Sequence, residues 1–376
     1  MKKVLLIFES RASYGYSKNL YNLLKKDNNF QIRTLVTGTH LSKELGSSIK
    51  NLNKDKIKID FKINFENKNF AYGIGKLTIK FCKILKNYKP NIVIIFGDRV
   101  ELMSFAIGCS YNQNIILAHI QAGDRSGHID DMTRMALAKM AHIHFPATKK
   151  AYNRLIRLGE EKKRIFLVGA PQLDDINYKN LITNKSFFVR NKKINIDEKY
   201  LVVLQHSVFK DQKIYEKRFS ETLKACQKFN YKKYIIYPNY DPGYKAIISS
   251  LNKIRYNKKK IIIFRNLDRS DFLKLVANSS ALVGNSSAGI LESPSLKIGV
   301  VNIGDRQNFR ERCKNIYDAD YNHKDIYKKI KKAVSIKHKI KNIKNLHGDG
   351  KSSQRIYSVL KKIKIDNKIL IKNTTY

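Results

Sequence analysis

The sequence has few cysteines and no tryptophan among its 376 residues. Cys82, Cys109, Cys226 and Cys313 lie far apart and form no Cys-x-x-Cys pair. Disulfide frameworks and structural zinc sites both depend on recognisable cysteine spacing. We therefore expect neither, and this cysteine content is typical of a protein in a reducing cytoplasm.

Long hydrophobic runs are also missing. No apolar stretch approaches the ~20 residues that a membrane-spanning helix needs. The start of the chain imitates a signal peptide, because two lysines precede the apolar residues 4–8. This run is shorter than the roughly 7–15 residues of a signal-peptide core, and no small-residue cleavage site follows it. The pattern predicts a buried first strand and no membrane partner.

Acidic residues are scarce, with 31 Asp and Glu against 74 Lys and Arg, for a formal net charge of +43. Such a charge is compatible with binding nucleic acid or an anionic membrane. The lysines are spread along the chain, as at 258–260 and 328–332, and no nucleic-acid-binding motif accompanies them. We favour a compositional bias of the solvent-facing positions, which leaves a general attraction for anionic substrates and no nucleic-acid partner.

Several catalytic signatures are absent as well. The sequence contains no zinc signature, Walker loop or Gly-x-Ser-x-Gly elbow, and "SRASYGYS" at residues 10–17 lacks the glycines of a dinucleotide fingerprint. Hydride transfer and ATP hydrolysis are therefore disfavoured.

Short apolar runs alternate with helical patterns along nearly the whole chain. Each run is rich in Val, Ile, Leu, Phe or Tyr and is bounded by polar residues or glycine. The predicted strands are 3–9, 31–37, 91–97, 114–120, 143–147, 164–169, 200–206, 233–238, 260–265, 281–284 and 299–303. This alternation predicts an α/β protein with parallel sheets and helices on both faces of each sheet.

The pattern loosens between residues 172 and 198, where Asn and Lys dominate. We place a domain junction there and expect a Rossmann-like domain over 1–175 and a second over 195–350, with a cleft between them. Residues 351–376 are predicted to form a C-terminal helix, over 353–364, and a basic, frayed tail.

Polar clusters directly follow many of the predicted strands. In open parallel sheets, ligands bind outside the carboxyl ends of the strands. The clusters are "SRASYG", "TGTH", "GDRVE", "HIQAGDRSGHIDDMTR", "QHS", "YPNYDPG", "GNSSAG" and "GDRQNFR". One such cluster would be an ordinary loop, whereas eight at the same topological position predict a site.

The stretch "GNSSAGILESP" is the clearest candidate for binding phosphate. A strand ends at Gly284 and a helix is predicted to begin near Ser287, where free N–H groups and the helix dipole suit a diphosphate. Ser286 adds a hydroxyl, and Glu292 is placed to accept hydrogen bonds from a ribose. By itself, a simple helix cap with small packing residues explains the pattern about equally well.

Basic residues occur at other strand ends. Arg306 and Arg310 lie four apart and would share one face of a helix, where they could hold phosphate oxygens. A solvated basic face is the alternative, and Arg11, directly after the first strand, has the same two interpretations. His206 follows a buried strand, and a lone histidine is more often structural.

Carboxylates follow two neighbouring strands. Asp98 ends one of them, and Asp124, Asp130 and Asp131 follow the next. Because neighbouring strand ends lie ~5 Å apart, these loops are expected to converge. Convergent carboxylates shift one another's pKa and can divide into acid and base roles. Arg134, one turn after Asp130, would hold a carboxylate ionised or contact substrate. A helix start with a capping aspartate explains any single carboxylate, but not the whole set.

Taken together, the motifs resemble those of the hydrolysing UDP-N-acetylglucosamine 2-epimerases, especially the branch that feeds sialic-acid and legionaminic-acid synthesis. The similarity runs in family order from residue 10 to about residue 350. It is carried by "SRASYG", "TGTHLSKELG", "GDRVE", "HIQAGDRSGHIDDMTRMALAKMAHIHFPAT", "RLGE", "VGAP", "YPNYDPG", "GNSSAGILESP", "NIGDRQNFR" and "HGDG".

The resemblance implies a GT-B fold, two Rossmann-like domains with the nucleotide in the cleft, and a homodimer. It also implies a reaction without metal or nicotinamide cofactor. A base removes the C2 proton of the sugar while the C1–O bond to the nucleotide diphosphate breaks, which gives a 2-acetamidoglucal. Water then adds with inversion at C2. The substrate is UDP-N-acetylglucosamine, or a UDP- or GDP-linked 2,4-diacetamido-2,4,6-trideoxyhexose, and the sugar product is free N-acetylmannosamine or its analogue.

Site residues come from the same resemblance. The predicted catalytic residues are Asp98, Asp130, Asp124, Gln121 and Arg134. The predicted substrate and nucleotide contacts are Arg11, His119, His206, Asn239, Asp241, Asn285, Ser286, Ser287, Gly289, Glu292, Arg306 and Arg310.

One departure from the family concerns Gln121, which stands where many relatives carry glutamate. An amide does not accept a proton as a carboxylate does. Asp124 takes the role, or Asp98 and Asp130 suffice, or the substrate differs. A smaller departure is "QHS", where relatives often have His-Pro.

Three other functions compete with the epimerase. A GT-B glycosyltransferase would share the fold and the "GNSSAG" site but would require an acceptor. A non-catalytic binding module, for nucleic acid, would bind with a steep salt dependence and would not depend on Asp98 or Asp130. A catalytically inactive relative, disabled at Gln121, lies between these possibilities.

Overall fold

The apolar runs build two parallel sheets in a computed structural model. The structure describes residues 1–375 except 42–48, 67–68, 113, 128–129, 184, 208–211, 239–242, 254–259 and 337–338, and for residues 11, 12, 50, 51, 212 and 253 it describes the backbone alone. The chain divides into two compact units. Unit 1 comprises Met1–Arg125, Ile129–Asp175 and His347–Tyr376, and unit 2 comprises Ser126–His128 and Ile176–Leu346.

Unit 1 is built on a parallel sheet of six strands in the order β3-β2-β1-β4-β5-β6. Its strands are β1 (Lys2–Phe8), β2 (Phe30–Val36), β3 (Phe61–Lys62), β4 (Ile92–Phe96), β5 (Ile116–Ile120) and β6 (Ile143–Phe145). All residues of β4 and β5 are buried, as expected for central strands covered on both faces.

Helices cover both faces of this sheet. They are α1 (Arg11–Lys25), α2 (Ile49–Lys54), α3 (Phe70–Tyr88), α4 (Leu102–Ser110), α5 (Asp130–Met140) and α6 (Lys149–Arg157). Side chains alternate between two cores along each strand: Leu6 and Phe8 face one core, which includes α1, and Leu5 and Ile7 face the other, which includes α3 and α4. The predicted doubly wound α/β architecture is therefore confirmed for this unit.

Unit 2 repeats the same strand order with β11-β10-β9-β12-β13-β14. Its parallel strands are β9 (Tyr200–Leu204), β10 (Lys232–Ile236), β11 (Ile261–Phe264), β12 (Ala281–Gly284), β13 (Gly299–Ile303) and β14 (Ile316–Ala319). It also contains β7 (Phe187–Val189), β8 (Lys192–Ile194), α7 (Tyr178–Leu181), α8 (Gln212–Gln227), α9 (Tyr244–Lys253), α10 (Arg269–Ala277), α11 (Ser287–Leu291) and α12 (His323–Ser335).

The prediction of a strand at 164–169 is wrong. Lys162–Arg164 forms a 3-10 turn, and Ile165 makes only an isolated bridge with His144 of β6. Pro146 directly follows β6 and has no N–H, so it cannot donate to an extended ladder at this edge. The edge strands β3 and β14 were not predicted, because β3 covers only two residues and β14, with the sequence "IYDA", is not a continuous apolar run.

The loosened stretch at 172–198 contains an antiparallel hairpin, β7 and β8. Phe187 and Val189 are buried while Phe188 is exposed, which is the alternation of a half-buried strand. Arg190 and Asn191 form the turn in left-handed conformation, with φ of 47° and 61°. A two-residue turn of this kind usually contains glycine. Because this turn contains none, the sequence did not indicate the hairpin.

The C-terminal residues return to unit 1 as α13 (Ser352–Lys362) and α14 (Asn367–Leu370). The prediction of a helix is confirmed, but that of a frayed tail is wrong. Buried Arg164 donates to the carbonyls of Lys368 and Ile369 at 3.1 and 2.5 Å, and Lys372 pairs with Glu160 at 2.8 Å. Buried charges of unit 1 therefore hold the tail in place. Among the described residues, no helix combines the length and apolar character required to cross a membrane.

Candidate functional site

Both sheets reverse their winding direction at one point. In unit 1 the chain turns between β1 and β4, and in unit 2 it turns between β9 and β12. A crevice opens outside the carboxyl ends of the strands at such a point in doubly wound sheets. The residues directly after these four strands therefore line the crevice of their own unit.

An ion-pair cluster follows β4. Arg134, on α5, donates from one guanidinium nitrogen to Asp98 and from the other to Asp131, the latter at 2.9 Å. The Arg134 side chain is 3% exposed, whereas that of Asp98 is 23% exposed. The cluster thus consists of a buried cation beneath a carboxylate that solvent, or a ligand, can reach.

Four carboxylates act on this one cation. Burial disfavours the charged guanidinium, but the negative charges of Asp98, Asp124, Asp131 and Asp130 outweigh that effect and raise the pKa of Arg134. The predicted convergence of the two acidic loops is therefore present in the structure. A capping aspartate was the alternative interpretation of this helix start, and Asp131 pairs with Arg134 one turn later.

His119 lies below this cluster rather than in it. Its Nε2 contacts the carbonyl of Gly97 at 2.7 Å, and the ring is fully buried. Burial lowers the pKa of His119 to about 3, so the imidazole is neutral and donates to that carbonyl. His119 thus orients the peptide preceding Asp98, and its role as a substrate contact stays a prediction.

Gln121 directly follows β5 and adopts a left-handed conformation with φ of 62°. Its backbone N–H donates to Phe145 at 2.9 Å, and its side-chain amide donates to the buried Gln172, also at 2.9 Å. A non-glycine residue in this region is uncommon and needs such support. The Gln121 amide is therefore held in a defined position.

Asp124 lies three residues after Gln121, in a turn that requires glycine at position 123. Gly123 has φ of 70°, and a Cβ there would lie 2.6 Å from the carbonyl of Ala151. Arg154 donates to the Gly123 carbonyl, and the charge of Asp124 acts on both Arg154 and Arg134. Asp124 thus belongs to the cluster through its charge.

Two buried carboxyls were not predicted from the sequence. Glu9 follows β1 and is 3% exposed, and Glu101 precedes α4 and is 1% exposed. Arg99 Nε donates to Glu101 Oε1 at 2.8 Å, and Ser10 Oγ donates to Glu9 Oε1 at 3.1 Å. Burial, together with the charge of Glu101, raises the pKa of Glu9 to about 8. The sequence signals were the position of Glu9 at a strand end and that of Glu101 in the "GDRVE" cluster.

In unit 2 the ends of β9 and β12 are joined by Asn285. Its Oδ1 accepts from the His206 N–H at 2.6 Å, and its Nδ2 donates to the His206 carbonyl at 2.9 Å. Gly284 must be glycine, because its φ is 142° and a Cβ would overlap the carbonyl of Leu204. Asn285 therefore fixes the backbone on which His206 is placed.

Arg306 and Gln307 both donate to the Asn285 carbonyl, at 3.2 and 3.3 Å. Residues 304–310 form turns, with Arg310 N–H donating to Gln307 at 3.1 Å, so the prediction that Arg306 and Arg310 share a helix face is wrong. Gly304, with φ of 73°, starts these turns against Tyr321, which leaves no room for a side chain.

His206 is buried and neutral. Burial and then the positive charge of Arg306 lower the pKa of His206 well below its ordinary value. A neutral imidazole offers a hydrogen bond but no charge to a diphosphate. The cationic charge beside this strand end therefore comes from Arg306.

The helix after β12 is short, covering five residues from Ser287. Ser286 caps it by accepting from the Ala288 N–H at 3.4 Å, and Gly289 packs against Val300 of β13. Glu292 is buried and accepts from Arg269 Nη1 at 3.0 Å. One oxygen of Glu292, the predicted ribose acceptor, therefore already accepts a hydrogen bond from Arg269. The sequence did not indicate this contact.

Some predicted site residues cannot be placed. Asn239 and Asp241 lie outside the described residues, as does the side chain of Arg11, whose backbone begins α1. Within the described parts of the chain, no group of three or more His, Cys, Asp or Glu residues is arranged to hold a metal ion. Gln172, Gln307 and Arg269 were not predicted: Gln307 lies within the "GDRQNFR" cluster beside Arg306, whereas Gln172 and Arg269 come from separate elements.

Comparison with known proteins agrees with these motifs. Residues 22–361 match the model of the UDP-N-acetylglucosamine 2-epimerase family. The chain is 32% identical over 382 residues to a UDP-N,N'-diacetylbacillosamine 2-epimerase (hydrolyzing) of Legionella pneumophila, with both chains fully covered. It is 31% identical to a GDP/UDP-N,N'-diacetylbacillosamine 2-epimerase (hydrolyzing) of Campylobacter jejuni, and that match covers 86% of this chain and 86% of the relative.

The fold is shared with solved structures. The Methanocaldococcus jannaschii UDP-GlcNAc 2-epimerase in complex with UDP-GlcNAc and UDP matches with a TM-score of 0.80. The match covers 96% of this chain and 99% of that one, at 21% sequence identity. The predicted fold class, with two Rossmann-like sheets as in GT-B proteins, is thereby confirmed.

Proposed function

The chain belongs to the UDP-N-acetylglucosamine 2-epimerase family, and we propose that it is a hydrolysing sugar-nucleotide 2-epimerase. Its substrate is UDP-N-acetylglucosamine or a UDP- or GDP-linked 2,4-diacetamido sugar, and its sugar product serves nonulosonic-acid synthesis. The observation that carries this proposal is the solvent-accessible Asp98 held by the buried Arg134 at the end of β4.

We assign the sugar chemistry to unit 1. A carboxylate takes the proton from C2, the C2–H electron pair forms the C1=C2 bond, and the C1–O pair leaves with the nucleotide diphosphate. Water then adds to the C1=C2 bond. Hydroxide attaches to C1, and a proton attaches to C2 on the face opposite the one from which the first proton was removed. Asp98 and Asp130 are the proposed acid and base, because both carboxyls lie near enough for their charges to act on the buried Arg134, and Gln121 cannot accept a proton.

We assign the leaving diphosphate to unit 2. Arg306 supplies charge, and the backbone N–H groups at Ser286 and Ser287 supply donors at the start of α11. Neutral His206 contributes a hydrogen bond, and Glu292 is the acceptor for the ribose. These groups stabilise the negative charge that develops on the leaving group.

Proton NMR in D2O tests the proposal. The protein is incubated with UDP-N-acetylglucosamine and no acceptor, and parallel tubes hold the UDP and GDP forms of the 2,4-diacetamido sugar. We expect nucleotide diphosphate and a free sugar that carries deuterium at C2 with inverted configuration. Release of a sugar with C2 protium and unchanged configuration would indicate simple hydrolysis instead. Turnover that required a sugar acceptor would indicate a glycosyltransferase.

The three tubes also compare substrates. The relatives from Legionella and Campylobacter are named for diacetylbacillosamine nucleotides, so we expect the diacetamido sugar to turn over faster than UDP-N-acetylglucosamine. The opposite order would assign this chain to N-acetylmannosamine formation. No turnover of any of the three, in a protein that still binds nucleotide diphosphate, would support an inactive relative.

A further inference from the structure

Glu9, Gly97 and Gln121 occupy equivalent places in unit 1. Each is the first residue after a strand, following β1, β4 and β5, which are neighbours in the sheet. Gly97 has no side chain, so the row carries a carboxyl at Glu9 and an amide at Gln121, and Asp98 follows the glycine. Glu9 is therefore part of the strand-end row from which the proposed acid and base are presented.

Glu9 and Glu101 are both buried, and the charge of Glu101 acts on the Glu9 carboxyl. A Cβ on Gly38 would lie 2.5 Å from the Glu9 carbonyl and 2.8 Å from Glu101 Oε1, so the loop at Gly38 packs on both residues. Within the described part of the chain, neither Glu9 Oε2 nor Glu101 Oε2 meets a hydrogen-bond partner, although both atoms are buried. Two buried carboxylates with unsatisfied oxygens are costly, and one proton relieves both the repulsion and the desolvation.

The groups that face Glu9 come from three elements. The β4–α4 turn contributes Glu101 and Arg99. The helix α1 and its cap contribute the hydroxyls of Ser13 and Ser10. The Gly38 turn contributes the Thr39 N–H, which donates to the backbone carbonyl of Glu9 at 2.9 Å. The side chain of Arg11 is not among those described. The positive charge of Arg99 acts on Glu9, but Arg99 is already bonded to Glu101.

The turn from Gly97 to Leu102 links this pair to Asp98. The Leu102 N–H donates to the Arg99 carbonyl at 3.0 Å, and Arg99 Nε donates to Glu101 Oε1 at 2.8 Å. Ionisation of Glu9 would place a second negative charge beside Glu101 and compete for Arg99. The turn that presents Asp98 would then lose its ion pair.

We propose that Glu9, as a neutral carboxylic acid beside Glu101, is a positioning residue that preserves the Glu101–Arg99 ion pair and thereby the turn presenting Asp98. Its effect on catalysis rests on the function proposed above, but its protonation does not. Because the folded protein then binds a proton that the unfolded chain releases, stability falls as the pH rises from about 4.5, the ordinary value, to about 8.

The test compares Glu9→Gln, a neutral mimic of the protonated acid, with wild type and with Glu66→Gln. Glu66 is an exposed carboxylate of unit 1 that pairs with Lys76 at 3.2 Å and is a matched surface control. Thermal unfolding between pH 5 and pH 9 is measured first. We expect the Tm of wild type and of Glu66→Gln to fall through this window and the Tm of Glu9→Gln to lose that slope.

Turnover is measured over the same range with the best substrate of the NMR series. We expect wild-type kcat to fall ~10-fold per pH unit above pH about 8, as for loss of one essential proton. Glu9→Gln should lie within about threefold of wild type at pH 7 and exceed it ~10-fold at pH 9. KM should change little in either protein.

Three results would overturn the proposal. Equal Tm slopes in wild type and Glu9→Gln would show that Glu9 holds no proton, whether or not the protein is an enzyme. Altered Tm slopes with unchanged pH–rate profiles would remove the positioning role. A stable but inactive Glu9→Gln would make Glu9 itself an acid or base. If the variant fails to fold, isotope-edited infrared spectra of wild type with labelled glutamate decide the protonation state, through a carboxylic-acid band present at pH 7 and lost by pH 9.

Discussion

The ends of β4 and β12 occupy the same place in two sheets of identical strand order, yet they carry opposite chemistry. After β4, carboxylates converge on one buried cation, Arg134. After β12, Asn285 and Gln307 provide amides and Arg306 provides positive charge. In both units a strand-end carbonyl is held by a donor from elsewhere: that of Gly97 by His119 and that of Asn285 by Arg306.

The strand order thus determines where each site lies, and the side chains at the strand ends determine its chemistry. Glycines with positive φ, at Gly97 and Gly284, end or follow the strand in each unit. They let the backbone turn sharply, so that the next side chain reaches the crevice. The residues after the glycine determine whether the strand end is suited to transferring protons, as at Asp98, or to binding anions, as at Asn285 and its neighbours.

The two strand ends can be distinguished by substitution, and removing the accessible carboxylate of Asp98 should have the largest effect. Asp98→Asn keeps the size of the side chain but removes its basicity, so we expect turnover to fall by ~10²–10⁴-fold. Nucleotide diphosphate binding, measured by calorimetry, should stay unchanged because those groups belong to unit 2. Wild-type turnover in this variant would exclude Asp98 from the mechanism.

The buried cation is the next target. Arg134→Ala would leave Asp98 and Asp131 without their partner, and we expect a loss on the order of 3 kcal/mol in the free energy of unfolding. Urea denaturation measures this loss. Lys76→Ala, which removes the exposed partner of Glu66, is the control and should cost less than about 1 kcal/mol. Equal effects of the two substitutions would show that the Arg134 cluster adds nothing beyond a surface pair.

A change in unit 2 tests the contrast from the other side. Arg306→Gln removes the charge beside Asn285 and should weaken UDP binding by about 10- to 100-fold, the value of a charge-assisted hydrogen bond. The rate of C2 deuterium exchange at saturating substrate should change much less. A variant that bound UDP normally but failed to exchange deuterium would reverse our assignment of the two units.

The smallest expected effect is a gain. Gln121→Glu restores the family's carboxylate next to Gln172, whose amide can turn to donate to it. We expect kcat to rise on the order of 10-fold, since a positioned acid or base contributes that much or more. Gln121→Met, of similar length, is the control for packing. A fall in kcat for Gln121→Glu would show that this chain's chemistry requires the amide.

Much of the fold could be predicted because local pattern and burial coincide. The continuous apolar run Ile92–Phe96 becomes a central strand, and the alternation of such runs with helical patterns correctly predicted two doubly wound sheets. The failure at 164–169 came from Pro146, which directly follows the neighbouring strand β6 and has no N–H to extend the ladder. Arg306 and Arg310 have helical spacing, but Gly304 and the turns after it prevent a helix.

The sequence predicted which types of residue stand at the candidate site, but not which of them contact one another. Asp131 and Arg134 lie one helical turn apart, so their contact is local and readable from the sequence. Asp98 reaches the same arginine from another strand. Glu9 and Glu101 are also brought together by strand order, and neither has a neighbour in sequence that indicates the other.

Local sequence alone established most of the strands of the two parallel sheets and the residue types at their ends, because hydrophobic periodicity and glycine act over a few residues. Packing in three dimensions established which carboxylate shares Arg134 and which histidines and carboxyls are buried. Those outcomes depend on burial and on charges from distant segments, and in a buried site the cost of an unpaired charge exceeds any local preference.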